Sequence, residues 1–389
     1  LIEQGRVFLN DPVSKHIDPV LQRMNGTSFV GIFGPTAAKV TVGHLLSMRS
    51  GIGDFDVGSF DDELLRDGYR GHSVLEPLKA VAAFSSPDGC DPNYHGTACT
   101  FVCMPGECTF YSSTNYVIAG LVLIAHAPEG QDSVDSFDQL AALGLRKDAY
   151  PHTFTPTRGA MASNGLDVAG KSDAYGTAEL YEQDASILGW TCGNVAASAQ
   201  DVAHFYHTLL APGHSVVSDA SLRTMSNLST IDRGWGERQI QYGYGLMIQN
   251  VNPYMQTLPP LDDIGSYLGH GGDTYAFMSD NGYFPALNAS LSVIVNEDSD
   301  FRYPTDIVTC KVVELVAAAR GLKGIDLKCL PPTPQKYACY TRFNQPHCFP
   351  SVSHGNMSKL ECSKLCKKDS PLAVPWPFGR RRVRTMPPF

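Results

Sequence analysis

The sequence predicts an α/β (α+β) fold: an antiparallel sheet backed by helices with an all-helical lobe, followed by a small C-terminal disulfide-rich module. Two observations point to the sheet and its helices. Helical patterns fill the middle of the chain, and strand patterns recur from residue 242 to 296 before a long amphipathic helix. A third points to the module: after Gly321 the sequence turns rich in Pro and Cys.

The elements follow in order. Leu1-Ile2-Glu3-Gln4-Gly5 reads as the last turn of a helix stopped by a C′ glycine, so the body of that helix is expected upstream of Leu1. Thr41 can N-cap a short helix over 42–48, which Gly51 ends. Residues 115–126 carry a continuous apolar run that suits a buried helix. Ser198 and Asp201 form a variant capping box that opens a helix through Leu210. Strands are expected over 242–249, 275–280 and 291–296, the last rich in β-branched side chains. Residues 305–320 read as an amphipathic helix with Ile307, Val308, Val312, Leu315 and Val316 on its apolar side.

These patterns divide the chain into a main domain (1–325), a Pro-rich linker (326–336), a Cys-rich module (337–370) and a basic tail (371–389). So small a module cannot bury enough surface without staples. Cys339, Cys348, Cys362 and Cys366 are its candidate disulfide partners, with the pairing open. Residues 355–366 faintly resemble the end of a Kunitz inhibitor domain, without six Cys at Kunitz spacing.

The chain has 389 residues, 43% hydrophobic and 18% charged, as expected of a protein with a real core. Its net charge of −9 argues against nucleic acid as a partner. The run Arg380-Arg381-Arg382-Val383-Arg384 reads as a solvated tail or a processing signal. The longest apolar run, 117–127, is interrupted by Gly120 and His126 and is too short to span a bilayer. No cofactor or metal is expected.

The 11 cysteines cluster in two groups: Cys90, Cys99, Cys103 and Cys108, then Cys329 with those of the module. Cys310 is a further disulfide candidate, and the odd count leaves one over. That one is either Cys192, as a buried thiol, or a Cys whose partner lies upstream. Glycosylation sequons begin at Asn25, Asn227, Asn288 and Asn356. Clustered Cys together with several sequons indicate a secreted or lumenal eukaryotic glycoprotein. Zinc-type C-x2-C spacing does not occur.

Two sequence islands carry the chemistry: Tyr111-Ser112-Ser113-Thr114-Asn115-Tyr116 and Gly269-His270-Gly271-Gly272. With them run Leu1 to Val13, Val40 to Gly51, Pro105-Gly106, Cys192 to Asp201 and Tyr242-Gly243-Tyr244-Gly245-Leu246. In this order the blocks resemble the serine β-lactamase-like family over roughly residues 1–320. That family comprises class C β-lactamases, D-alanyl-D-alanine carboxypeptidases, other penicillin-binding-protein relatives and esterases.

The resemblance implies a Ser nucleophile, a Lys one turn later that lowers its proton affinity, and a Tyr that passes the proton to the leaving group. Tyr111 stands in that Tyr position. Ser113 stands where the family usually has Asn, and a hydroxyl cannot donate and accept at two separate atoms. Asn115 reads as structural, and so does His44. His270 stands in the third motif, where it would hold a substrate carboxylate or keep Tyr111 poised. Gly271 and Gly272 would let substrate approach the strand, and the Asp273 N–H would be one oxyanion donor.

The Ser-x-x-Lys motif itself is missing, since no Ser is followed by Lys three residues on. Thr36-Ala37-Ala38-Lys39 has a similar spacing, but it precedes the second block and falls out of order. Three functions are therefore open. The first is an acyl hydrolase for esters, amides or D-amino-acid peptides whose Ser and Lys lie outside this chain, upstream or on a companion chain. The second is a non-catalytic secreted glycoprotein that keeps the fold as a structural or self-assembly scaffold. In the third the C-terminal module dominates, as an inhibitor or adhesion unit. The Cys90–Cys108 insert just ahead of Tyr111 reads either as a stapled loop or as a specificity rim.

Overall fold

Short local bonds start the helices where the sequence places them. The Thr41 hydroxyl accepts the His44 N–H at 3.2 Å, while His44 Nδ1 accepts the Thr41 N–H at 3.3 Å. This reciprocal cap opens α3 (Val42–Leu46). The helix is shorter than expected because Met48 adopts a positive φ of 59°. The Ser198 hydroxyl accepts the Asp201 N–H in the same way and opens α7 (Ala199–Leu210). At the start of the chain Gly5 N–H bonds Ile2 O and Arg6 N–H bonds Leu1 O, with Gly5 left-handed at φ 66°. That paired bonding is the glycine-stopped turn expected there.

The structure is a computed structural model that describes residues 1–56, 68–83, 99–160, 171–172, 178–179, 183–233, 240–251, 260–274, 277–298, 304–329, 337–342, 345–350 and 374–375. Cys90, Pro331 to Pro334, Asn356, Cys362, Cys366 and the Arg380 to Arg384 run lie outside them.

The helical lobe comprises α1 (Val13–Asn25), α2 (Phe29–Phe33), α3, α4 (Leu75–Ala82) and α5 (Thr114–Ala125). Helix α1 turns Val13, Ile17, Val20 and Leu21 inward. Helix α5 is apolar almost all round because α1, α3 and the turn Trp190–Cys192 all pack on it. Gly120 faces that turn, where a Cβ would collide with the Thr191 side chain.

A 7-stranded sheet forms the second layer. Its strands are β1 (Ser229–Thr230), β2 (Gln241–Tyr242), β3 (Met247–Asn250), β4 (Ser266–Gly269), β5 (Gly272–Asp273), β6 (Met278–Phe284) and β7 (Ala289–Val295). The spatial order is β7-β6-β4-β3-β2-β1, with β5 also on β6, and every pairing is antiparallel. The stretch expected as one strand over 242–249 is instead a hairpin. Gly243 N–H reaches Leu246 O at 2.8 Å, and Gly245 turns the chain at φ 82°.

Helices α7 and α9 (Pro304–Ala319) both pack against β6 and β7. The expected apolar side of α9 is corrected at two positions, since Ile307, Val312 and Val316 are half-buried but Val308 and Leu315 face outward. Thr309, Cys310, Val313 and Ala317 are buried, whereas Leu315 is 69% exposed and Val308 44%. Cys310 is bonded to Cys329, and the Glu314 carboxylate accepts the Leu327 N–H. The chain after the helix is thereby held against its inner stripe. A second disulfide joins Cys103 to Cys108, and Cys99 is also disulfide-bonded. Beyond Cys329, β8 (Tyr337–Arg342) and β9 (Gln345–Pro350) pair antiparallel with Cys339 opposite Cys348, and β10 (Val374–Pro375) joins β8.

Candidate active site

Tyr111 is held by backbone on both sides. Phe110 N–H bonds Met48 O at 2.8 Å, and Tyr111 N–H bonds Arg233 O at 3.2 Å. The next three residues are stitched to the loop Gly53-Asp54-Phe55. The Ser112 hydroxyl donates to Gly53 O, Ser113 N–H to the Asp54 carboxylate, and Phe55 N–H to the Thr114 hydroxyl, all at 2.9–3.0 Å. Ser113 is buried at the first turn of α5, with its side chain on the cleft. Asn115 is fully buried away from that cleft, accepting from Ser50 Oγ at 2.5 Å and donating to Met48 Sδ at 3.3 Å. Its structural reading holds.

His270 leaves the end of β4. Its N–H bonds Asn281 O at 3.0 Å, and the Asn281 carboxamide donates back to His270 O. The ring lies 6.3 Å from the Tyr111 ring and 5.7 Å from that of Tyr242, and the two phenol rings are 5.8 Å apart, edge to face. Nδ1 is 2.6 Å from Gly271 O and Nε2 is 3.2 Å from the Tyr242 hydroxyl. Tyr111 and Tyr242 sit in one cluster with Met48, Ile231, Ile240 and Met247, so packing holds the rings in place. Burial raises the Tyr242 phenol well above its ordinary pKa, with Tyr116 and Tyr111 adding to the effect, and it stays protonated.

Tyr111, Ser113, His270, Gly271, Gly272 and Asp273 all line one cleft of about 480 Å³. Its walls are apolar, with Leu143, Leu145, Tyr150, Phe205, Tyr206 and Phe277. Asp56, Asp201 and Asp273 are its carboxylate lining residues, and Asp201 accepts from His152 N–H and the Thr153 hydroxyl. Lys and Arg do not occur among the described lining residues. Thr36 and Lys39 lie in a 3₁₀ turn (Pro35–Lys39) outside the lining, and His44 is the α3 cap. Gly272 has a packing reason beside any role toward substrate, since a Cβ there would collide with the Ser279 hydroxyl on β6. Among the described residues no group of three His, Cys, Asp or Glu side chains is placed to hold a metal.

A beta-lactamase family model matches residues 1–307. The chain belongs to the beta-lactamase family. Solved structures share this beta-lactamase fold. A D-stereospecific amidohydrolase from Streptomyces sp. is 22% identical, with a TM-score of 0.54 over 77% of each chain. The D-amino acid amidase from Ochrobactrum anthropi SV3, complexed with D-phenylalanine, is 18% identical, with a TM-score of 0.51 over 82% of this chain and 86% of that one. An octameric penicillin-binding protein homologue from Pyrococcus abyssi is 20% identical, with a TM-score of 0.50 over 82% of this chain and 62% of its own. No curated protein sequence matches.

Two residues that support the lining of this beta-lactamase cleft from behind are not site residues in the sequence reading. Asp54 holds the Ser113 backbone, and Tyr242 holds Nε2 of His270. Tyr242 had a signal, because it opens the Tyr-Gly-Tyr-Gly block. Asp54 follows Gly51 and Gly53 in a loop that carries no recognisable pattern.

Proposed function

We propose that this protein is a serine-type acyl hydrolase whose nucleophilic Ser and its Lys come from outside these 389 residues. The observation that carries the reading is the meeting of Tyr111, Ser113 and His270 in one apolar cleft. Tyr111 would move the proton between nucleophile and leaving group, Ser113 would contact the acyl substrate, and the Asp273 N–H would face the developing oxyanion. Esters, amides and D-amino-acid peptides are the substrate classes, the last in keeping with the names of two proteins that share the fold. Exposed Asn25, Asn227 and Asn288 and the disulfides support a secreted glycoprotein.

Labelling of the native protein with a fluorescent penicillin and a fluorophosphonate tests the reading. Covalent label on a Ser followed three residues later by Lys is the expected result; unlabelled native protein removes it. One observation favours a second reading, a non-catalytic scaffold that self-assembles: Ser113 in place of the family's Asn. That reading expects a native protein with no Ser-x-x-Lys anywhere, and oligomers in sedimentation.

A further inference from the structure

We propose that the cleft takes an acyl group with a long aliphatic tail, and that Leu143, Val195, Phe205 and Ile294 bind that tail. That the tail belongs to an acyl substrate rests on the acyl-hydrolase reading; the apolar subsite itself does not.

The sheet register sets the length of the subsite. Gly272 on β5 pairs with Ser279 on β6, and Ser279 pairs with Ile294 on β7. All three line the cleft, so one cross-strand row leads from the third-motif glycine to an apolar side chain. Neighbouring strands lie about 4.8 Å apart, which puts Ile294 about 10 Å from Gly272 along that row. An acetyl group lying at Gly272 stops short of Ile294, whereas an octanoyl zigzag of bonds about 1.5 Å long reaches it. Helix α7 packs against both β6 and β7 and brings Phe205 to the same cleft. Leu143 follows the short helix α6 (Gln139–Ala142), and Val195 follows the turn Trp190–Cys192.

Exposure marks these side chains as a binding surface. Leu143 is 54% exposed, Val195 61% and Ile294 36%, so none of the three is consumed by the core. They come from three separate elements, yet all line one cavity with the half-buried ring of Phe205. Apolar surface scattered singly over a protein is ordinary, but apolar surface gathered in a concave site marks a ligand. None of these four side chains offers a hydrogen bond. A tail with a charge or a hydroxyl would lose its water there without a replacement, whereas methylene groups lose nothing. The reward grows with chain length until the row ends at Ile294.

Displacement of the neutral dye N-phenylnaphthylamine from the native protein tests this without any turnover. The competitors are the inert N,N-dimethylamides of acetic, butyric, hexanoic and octanoic acid. Each added methylene that enters the subsite should tighten binding about fourfold. Ile294→Ser should weaken the octanoyl amide about tenfold and Leu143→Ser about fivefold, with the acetyl amide unchanged in both. Leu315→Ser is the control, since that side chain is 69% exposed on α9 and outside the cleft lining; it should change neither. Selective weakening in either cleft variant supports the proposal. Affinity that does not rise with chain length overturns it. So does an octanoyl amide untouched by both cleft variants, or weakened as much by Leu315→Ser. If Ile294→Ser does not fold, Leu143→Ser decides. Failed fluorophosphonate labelling beside a steep ladder would remove the acyl-hydrolase reading and leave the subsite; successful labelling beside a flat ladder would remove the subsite alone.

Discussion

The ring of His270 meets that of Tyr111 at 6.3 Å in one cleft, although one comes from the sheet and the other from the entrance of α5. If the proposed chemistry is right, Tyr111→Phe removes only the proton carrier. The ring keeps its place against Met48, Ile231 and Tyr242. Acylation of the native protein by a fluorophosphonate should slow roughly 10²–10⁴-fold with stability little changed. Labelling at the wild-type rate would show that Tyr111 has no such role.

Asn115 offers the contrasting case. Its side chain is fully buried and joins α5 to Ser50 and Met48. Asn115→Ala should lower unfolding stability by about 2 kcal/mol, because the Ser50 hydroxyl is left buried without its acceptor. Urea midpoints measure the loss. Labelling per folded molecule should not change.

His44 gives the α3 cap a pH dependence. Burial comes first in lowering its pKa below 6.5, and the nearby Arg49 charge adds to it. Its folded-state value is depressed, so the stability it contributes is complete above pH 6.5 and is lost as pH falls through the lower folded value. Protonation also removes the lone pair that accepts the Thr41 N–H. His44→Gln keeps an acceptor at that capping position and should flatten the stability curve below pH 6.5. Thermal melts across this range check it; an unchanged slope refutes it.

The Cys310–Cys329 bond closes a sequence separation of 19. Replacing both with Ala should cost about 3 kcal/mol by loop-entropy arguments. The residues after α9 should then lose amide-exchange protection before the sheet does. Protection that stays uniform would place the anchoring elsewhere, in the Glu314 bond to Leu327 N–H.

Local physics made most elements legible. Thr41 and Ser198 announce their helices through caps, Gly5 its turn, and the β-branched run of β7 its strand. The hairpin falls inside one expected strand over 242–249, where Gly245's left-handed backbone turns the chain. Leu315 is apolar and spaced for the core, yet it is exposed. Cys310, Val313 and Ala317 lie inward instead, in one cluster with Tyr267, Phe284 and Cys329.

By itself, then, the sequence determined the fold class, the family blocks and the convergence of Tyr111 and His270 on one cleft. Caps, turns and residue order are short-range properties that a string of letters carries. Tertiary structure alone decided that Tyr242 and Gly271 O take up both nitrogens of His270, and that Asp54 holds Ser113. The Tyr242–His270 and Asp54–Ser113 contacts join residues 28 and 59 apart along the chain, and their geometry exists only once the sheet and the entrance of α5 have each folded.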